Sequence, residues 1–267
     1  MSVITLLTDF GTEDEYVGLM KGAILTINPG VTIVDLSHRI DRHDIVQAAF
    51  AIRSGYPYFP EGTVHLIVVD PGVGTDRSLL ALKSDGHWFI APDNGVLTLL
   101  CRDKNASSLN RITNPKYFKA SVSSTFHGRD IIAPVGAHIA GGLDVKELGP
   151  EIDLQNIIRL EGLRVRSTKN SELRGKIITI DHFGNLITNI HFDRLARWFP
   201  AAAHDRLRIK MGSNVIEGLS ETYADVASDS PVAVIGSRGY LEIAINQGHA
   251  ARHLNAVKGD DVWLLLE

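Results

Sequence analysis

Apolar positions follow two different rhythms along this chain. In the first half, short β-prone runs alternate with longer stretches whose apolar residues recur at helical spacing. Val3 to Leu7 is an apolar run that stops at Thr8-Asp9-Phe10-Gly11, and from Glu13 to Ile27 the residues Tyr16, Leu19, Met20, Ala23, Ile24 and Ile27 repeat as a helix requires. Asn28-Pro29-Gly30 ends that helix. Val31 to Leu36 predicts a second strand, Asp44 to Arg53 a second helix carrying Ile45, Ala48, Ala49 and Ile52 on one face, and Thr63 to Val69 a third strand. Strands alternating with helices demand parallel pairing and right-handed crossovers. Asp9, Asp35 and Asp70 then end their strands on one edge of the sheet.

From Ser78 the pattern changes. Leu79 to Leu82 and Trp88 to Ile90 predict strands joined by the turn Ser84-Asp85-Gly86, and the loop Ala91-Pro92-Asp93-Asn94-Gly95 leads into a short helix expected over Val96 to Cys101. The polar stretch from Thr113 to Thr125 ends in Phe126-His127-Gly128-Arg129-Asp130, followed by a buried helix from Ile131 to Ile139. Gly141-Gly142 closes this half. Beyond a polar connection the rhythm shortens: Gly175 to Ile180, Leu186 to Ile190, Leu207 to Met211, Pro231 to Ile235, Leu241 to Ile245 and Asp261 to Leu266 are short strand candidates. They predict a small barrel or sandwich. The expected organisation is an α/β N-terminal domain with a mainly parallel sheet over 1–150, a linker over 151–172 and a smaller β domain over 173–267.

Composition narrows the function. Hydrophobic content of 44% with 22% charged residues is that of a globular protein, and 27 Lys and Arg against 31 Asp and Glu leave no basic footprint for nucleic acid or anionic lipid. A small molecule is the expected partner. The single cysteine, Cys101, excludes an intrachain disulfide and a thiolate metal cluster. No run approaches the roughly 18 apolar residues that span a bilayer, and the start lacks the basic flank of a signal peptide. A cytoplasmic location is expected.

The stretch from Leu66 to Arg77 concentrates the candidate chemistry: a buried strand ends at Asp70, and Pro71, Gly72 and Gly74 shape a loop that delivers Arg77. In open α/β sheets, ligands collect beyond the carboxyl ends of the strands. That edge gathers Asp70, Arg77 and His127. Arg77 supplies fixed positive charge that favours hydroxide character on a nearby water, while Asp70 or His127 can accept its proton. A helix starting near Arg129 would point its positive end at His127 and disfavour the imidazolium. An ordinary helix-capping histidine is the plainer reading. Asp9, Asp70, Asp93 and His127 also resemble a metallohydrolase set, against which stand the absence of any HxxxH or HxH pair and the charge of Arg77.

Seven motifs occur in order: Thr8-Asp9-Phe10-Gly11, Val69-Asp70-Pro71-Gly72-Val73-Gly74, Ala91-Pro92-Asp93-Asn94-Gly95, Phe126-His127-Gly128-Arg129-Asp130, Phe183-Gly184-Asn185, Thr222-Tyr223-Ala224-Asp225-Val226 and Ser237-Arg238-Gly239-Tyr240. Together they resemble the S-adenosyl-L-methionine hydroxide adenosyltransferase family, hydrolytic relatives of the fluorinase and chlorinase enzymes. The resemblance implies a C-terminal β-barrel and a homotrimer with active sites between neighbouring subunits. It implies hydrolysis of S-adenosyl-L-methionine to adenosine and L-methionine, without cofactor or metal. Asp70, Arg77 and His127 become the water-activating triad, and Asp9 the acid that holds the ribose hydroxyls. Asp181 would meet the methionine ammonium, and Ser237 with Arg238 its carboxylate. Asn185 and the backbone near Asn246 would read the adenine edge, with Phe183 and Tyr223 as stacking faces.

The halogenating relatives carry a tyrosine or similar residue where this chain has Asp70, and a carboxylate there repels a halide. Formation of a 5′-halo-5′-deoxyadenosine is therefore the disfavoured alternative, followed by a metal-dependent phosphohydrolase and a non-catalytic nucleoside-binding protein. Asp35 reads as a strand-end acid, His38 and His43 as surface residues and Trp88 as core.

Overall fold

A computed structural model describes residues 2–101, 106–161, 163–167 and 172–266. Contacts divide the chain into two compact units, residues 1–160 and 161–267. Part of the expected linker, residues 162 and 168–171, lies outside the described residues.

In the first unit β1 (Val3–Thr8), α1 (Tyr16–Ile27), β2 (Thr32–Ser37), α2 (Ile45–Gly55) and β3 (Val64–Val68) alternate as predicted. They are followed by β4 (Leu79–Ser84), β5 (His87–Pro92), β6 (Ala106–Arg111) and α3 (Ala133–Ala140). The sheet runs β2-β1-β3-β5-β4-β6 and is mainly parallel, with only β4 antiparallel to its neighbours β5 and β6. The β4–β5 turn places Asp85 and Gly86 at φ 49° and 77°, the left-handed pair that a two-residue hairpin turn requires. Ile4, Leu6, Leu66 and Val68 bury one sheet face against Met20 and Ile24 of α1 and Val135 of α3. Each such side chain contributes about 1.5–3 kcal/mol when fully buried. Gly136 sets the helix-to-sheet distance, because a Cβ there would lie 2.4 Å from Leu66 Cδ2.

Three details depart from expectation. Residues 96–101 form successive turns rather than a helix: Thr98 N donates to Gly95 O at 2.9 Å, and Leu100 N and Cys101 N both donate to Leu97 O. Val96, Leu97, Leu99 and Leu100 are all buried, so this segment is held by its surroundings rather than by one helical face. Asp35 lies inside β2, not at its end, and pairs with Lys21 at 2.6 Å. His38, expected at the surface, is buried, accepting or donating at 2.9 Å to Thr8 Oγ1.

The second unit contains β7 (Arg166–Ser167), β8 (Leu173–Ile180), β9 (Leu186–His191), α4 (Phe192–Trp198), β10 (Leu207–Met211), β11 (Asn214–Glu217), β12 (Pro231–Ile235), β13 (Tyr240–Ile245), α5 (Ala250–His253) and β14 (Asp261–Leu266). Its strands run β11-β10-β14-β8-β9-β13-β12, with β7 on β8. All these ladders are antiparallel, and they make a nearly closed barrel. Leu173, Ile177, Leu186, Ile190, Leu241 and Leu264 fill its interior.

Candidate active site

In the first unit, the chain leaves β3 and reaches Asp70 two residues later. Val73 N donates to Asp70 O at 3.2 Å, and Asn94 Nδ2 ties down Val69 O at 2.8 Å, fixing the loop at both sides of the acid. Gly74 sits at φ 80°, where a Cβ would lie 2.4 Å from Ser124 O; only glycine lets the loop pass that close. Arg77 returns along the loop toward Asp70. Its Nε lies 2.7 and 2.8 Å from the two Asp70 oxygens, and its Nη2 also bonds Oδ2. The same Nη2 lies 2.9 Å from His127 Nδ1. Asp70 and Arg77 side chains are only 6% and 8% exposed, so the pair is shielded from water.

Arg77 offers donors only, so His127 Nδ1 accepts, and a neutral ring carries its hydrogen on Nε2. Burial holds the His127 imidazolium below its ordinary range, and the Arg77 charge adds to this, outweighing Asp70 and Asp130. His127 caps a π-helical segment, Gly128–Ile132, that runs into α3. Asp130, fully buried, fixes that segment by accepting from Arg129 Nε and Nη2 at 2.7 and 2.8 Å and from Ser123 N at 2.9 Å. Arg129 and Ser123 thereby also pull its carboxyl below the usual range, against burial.

Asp9 follows β1 directly and accepts from His43 N at 2.9 Å. His43 stands at φ 65°, a left-handed conformation that turns its amide toward the acid. Phe10, beside Asp9, and Phe126, beside His127, meet edge to face at 5.7 Å, and Tyr16 packs on both. This aromatic trio was not singled out in the sequence, where Phe126 lies far from Phe10 and Tyr16.

In the second unit every site residue expected between 181 and 246 lines one cavity of about 720 Å³. Asp181 closes a tight turn after β8: its Oδ1 accepts from Phe183 N and Asn185 N, both at 2.9 Å, and its Oδ2 from Asn185 Nδ2 at 3.1 Å. Phe183 is thereby held out, 72% exposed. Ser237 and Arg238 occupy the exposed β12–β13 turn, closed by Gly236 N donating to Tyr240 O at 2.9 Å. Tyr223 OH donates to Glu242 Oε1 at 2.6 Å. Asn246, just after β13, is tied to the loop before β12, since its N–H donates to Ser230 O, its carbonyl accepts from Asp229 N and its Nδ2 donates to Val226 O. Glu242, an acid inside the apolar run of β13, also lines the cavity and is 7% exposed. Its one sequence signal is that interruption.

The expected residues thus fall into two sets: Asp9, Asp70, Arg77 and His127 in the first unit, and the remainder around one cavity in the second. Among the described residues, no three His, Cys, Asp or Glu side chains gather in a metal-holding arrangement.

This defines a class: a mainly parallel α/β unit with an acid–guanidinium–imidazole cluster at its sheet edge, followed by an antiparallel barrel with a polar cavity. The chain belongs to the SAM hydroxide adenosyltransferase family, whose N-terminal domain matches residues 4–149 and whose C-terminal domain matches residues 175–263. It is 37% identical to an (R)-S-adenosyl-L-methionine hydrolase of Thermus thermophilus, over 99% of this chain and 100% of that one. It is also 32% identical to a fluorinase of an Actinoplanes species, over 96% and 95% of the two chains. A crystal structure of an uncharacterized conserved protein from Thermotoga maritima superposes with a TM-score of 0.90 at 34% identity, covering 98% of this chain and 99% of that one.

Proposed function

We propose that this chain hydrolyses S-adenosyl-L-methionine to adenosine and L-methionine. Family membership over both units supports this reading, and the observation that carries the chemistry is Arg77 bridging Asp70 and His127. Water attacks the ribose C5′ in line. The O–C5′ bond forms as C5′–S breaks, sulfur keeps the bonding pair and leaves as the neutral thioether of methionine. The water's proton passes to Asp70 or His127, while Arg77 keeps its charge. The fixed Arg77 charge favours hydroxide character on the attacking oxygen, and the sulfonium is its own leaving group, so the reaction as proposed needs no cofactor or metal.

In this reading Asp9 accepts from the ribose hydroxyls, Asp181 from the methionine ammonium, and Ser237 with Arg238 hold the carboxylate, a planar anion suited to a guanidinium fork. Phe183 and Tyr223 flank the adenine, Asn185 reads its edge, and the backbone beside Asn246 completes that edge. The working form is a homotrimer with active sites between subunits, located in the cytoplasm. Among the described residues, no helix is long and apolar enough to cross a membrane.

The test is incubation of chelator-treated protein with S-adenosyl-L-methionine in oxygen-18 water, with and without chloride, followed by mass spectrometry. Adenosine labelled at the 5′ oxygen, with methionine, is the expected result. A 5′-chloro nucleoside would move the assignment to the halogenating relatives, and absence of turnover would overturn it.

A further inference from the structure

Glu242 is a buried acid that the reaction as proposed does not use. It sits in β13 among Leu241, Ile243 and Ala244, all essentially inaccessible, yet its side chain lines the same cavity as Asp181 and Arg238. Oε1 takes the Tyr223 hydroxyl. Oε2 lies over Gly236, where a Cβ would come within 2.2 Å of it, so the turn before Ser237 is glycine-shaped to admit this carboxylate. Among the described residues no cationic side chain forms an ion pair with Glu242. Burying a carboxylate is costly, and burial together with Asp181 pushes its pKa up, against the Tyr223 hydrogen bond and the charge of Arg238.

Counting charges around the cavity gives a reason to keep it. Asp181 and Glu242 bring two negative charges against the single positive charge of Arg238. S-adenosyl-L-methionine bears a sulfonium, an ammonium and one carboxylate, leaving it with one net positive charge, whereas methionine and adenosine are each net neutral. Without Glu242 the cavity matches a neutral zwitterion; with it, the cavity matches the substrate. We propose that Glu242 determines specificity by charge: it makes the second-unit cavity prefer the sulfonium substrate over neutral thioether analogues and over the reaction's own products. This rests on the assignment of the cavity to S-adenosyl-L-methionine.

The test compares the full chain with its Glu242→Gln and Tyr223→Phe variants, reading KM for S-adenosyl-L-methionine and the inhibition constant of S-adenosyl-L-homocysteine, which lacks only the methyl group and its charge. Glu242→Gln keeps the acceptor for Tyr223 and removes the charge. The expected result is a fall of about tenfold in preference for the sulfonium, with homocysteine-analogue inhibition nearly retained, which also shows the variant to be folded. Tyr223→Phe is expected to shift both ligands alike, since it alters packing and not net charge. Equal shifts for both ligands in Glu242→Gln, or an unchanged preference, would overturn the inference while leaving the hydrolase reading intact. A wild-type protein that neither turns over the sulfonium nor binds the thioether would take down both.

Discussion

The charged groups of the first-unit cluster bond one another directly, whereas Asp181, Arg238 and Glu242 of the second unit are spread around a cavity. Arg77 binds both Asp70 oxygens and His127 at once, behind side chains less than a tenth exposed. In the barrel, Phe183 is largely in solvent, Ser237 and Arg238 ride an exposed turn, and Glu242 faces a cavity without an ion-pair partner among the described residues. A pre-paired cluster costs no reorganisation when charge develops on a reacting atom. An open, charge-mismatched cavity gains its partners only when ligand arrives. On the proposed reading, the first unit acts on a bond and the second recognises a molecule.

The largest break in that contrast comes from the paired cluster. Asp70→Asn leaves the shape but removes the charge that Arg77 clamps, and kcat is expected to fall by about 10²–10⁴-fold. Steady-state kinetics should show KM changing far less. A variant that lost affinity but kept kcat would place Asp70 in binding and dissolve the division between the units. Arg238→Ala makes the converse demand. Loss of a charge-assisted hydrogen bond of roughly 1.5–3 kcal/mol should raise KM by about 10- to 100-fold with little change in kcat.

Both clusters were legible in the sequence to the extent that motifs mark loops at strand ends. Asp9, Asp70 and His127 each follow an apolar run or precede one, and the turn at Asp181 announces itself by glycine and asparagine. What could not be read is reach across the chain: Phe10, Tyr16 and Phe126 meet only in space, and nothing local predicts that Thr8 will bury His38. Polar edge strands were equally hidden. Ala-Ser-Ser-Leu-Asn-Arg, now β6, buries only Leu109 and Asn110 and shows no alternation. Residues 96–101 misled in the opposite sense, since an apolar stretch buried on all sides has no face from which to read a period.

The first unit holds a second contrast, between imidazoles that face chemistry and imidazoles that face core. His65 Nδ1 lies 2.7 Å from Thr5 Oγ1 and its Nε2 lies 3.2 Å from His87 Nδ1, beneath Tyr56 and Phe89. Burial, and then the neighbouring His87, push His65 down to about 3. The unfolded chain, with an ordinary histidine near 6.5, binds the proton more readily. The stability His65 contributes is therefore complete above about pH 6.5 and declines by about 1.4 kcal/mol per pH unit as pH falls from there toward 3. Denaturant unfolding at pH 7.5 and 5.0 should show this slope, reduced in His65→Gln. An identical slope in the variant would assign the acid sensitivity to other groups.

The smallest expected effect tests the exposed side of the barrel cavity. Phe183 is held out by two amides that bond Asp181, not by packing on the barrel, so its removal leaves no core cavity and should leave the unfolding midpoint within about 0.5 kcal/mol. Its ring offers a face to a planar base, an interaction of roughly 1–3 kcal/mol where measured for stacked bases. Phe183→Leu should therefore raise KM for S-adenosyl-L-methionine several-fold, and raise the inhibition constant of adenosine by the same factor while leaving that of methionine alone. Equal effects on adenosine and methionine would move Phe183 from the base to the entrance of the cavity. The recognition assigned to the second unit would then rest on its charged groups, with no aromatic contribution from this position.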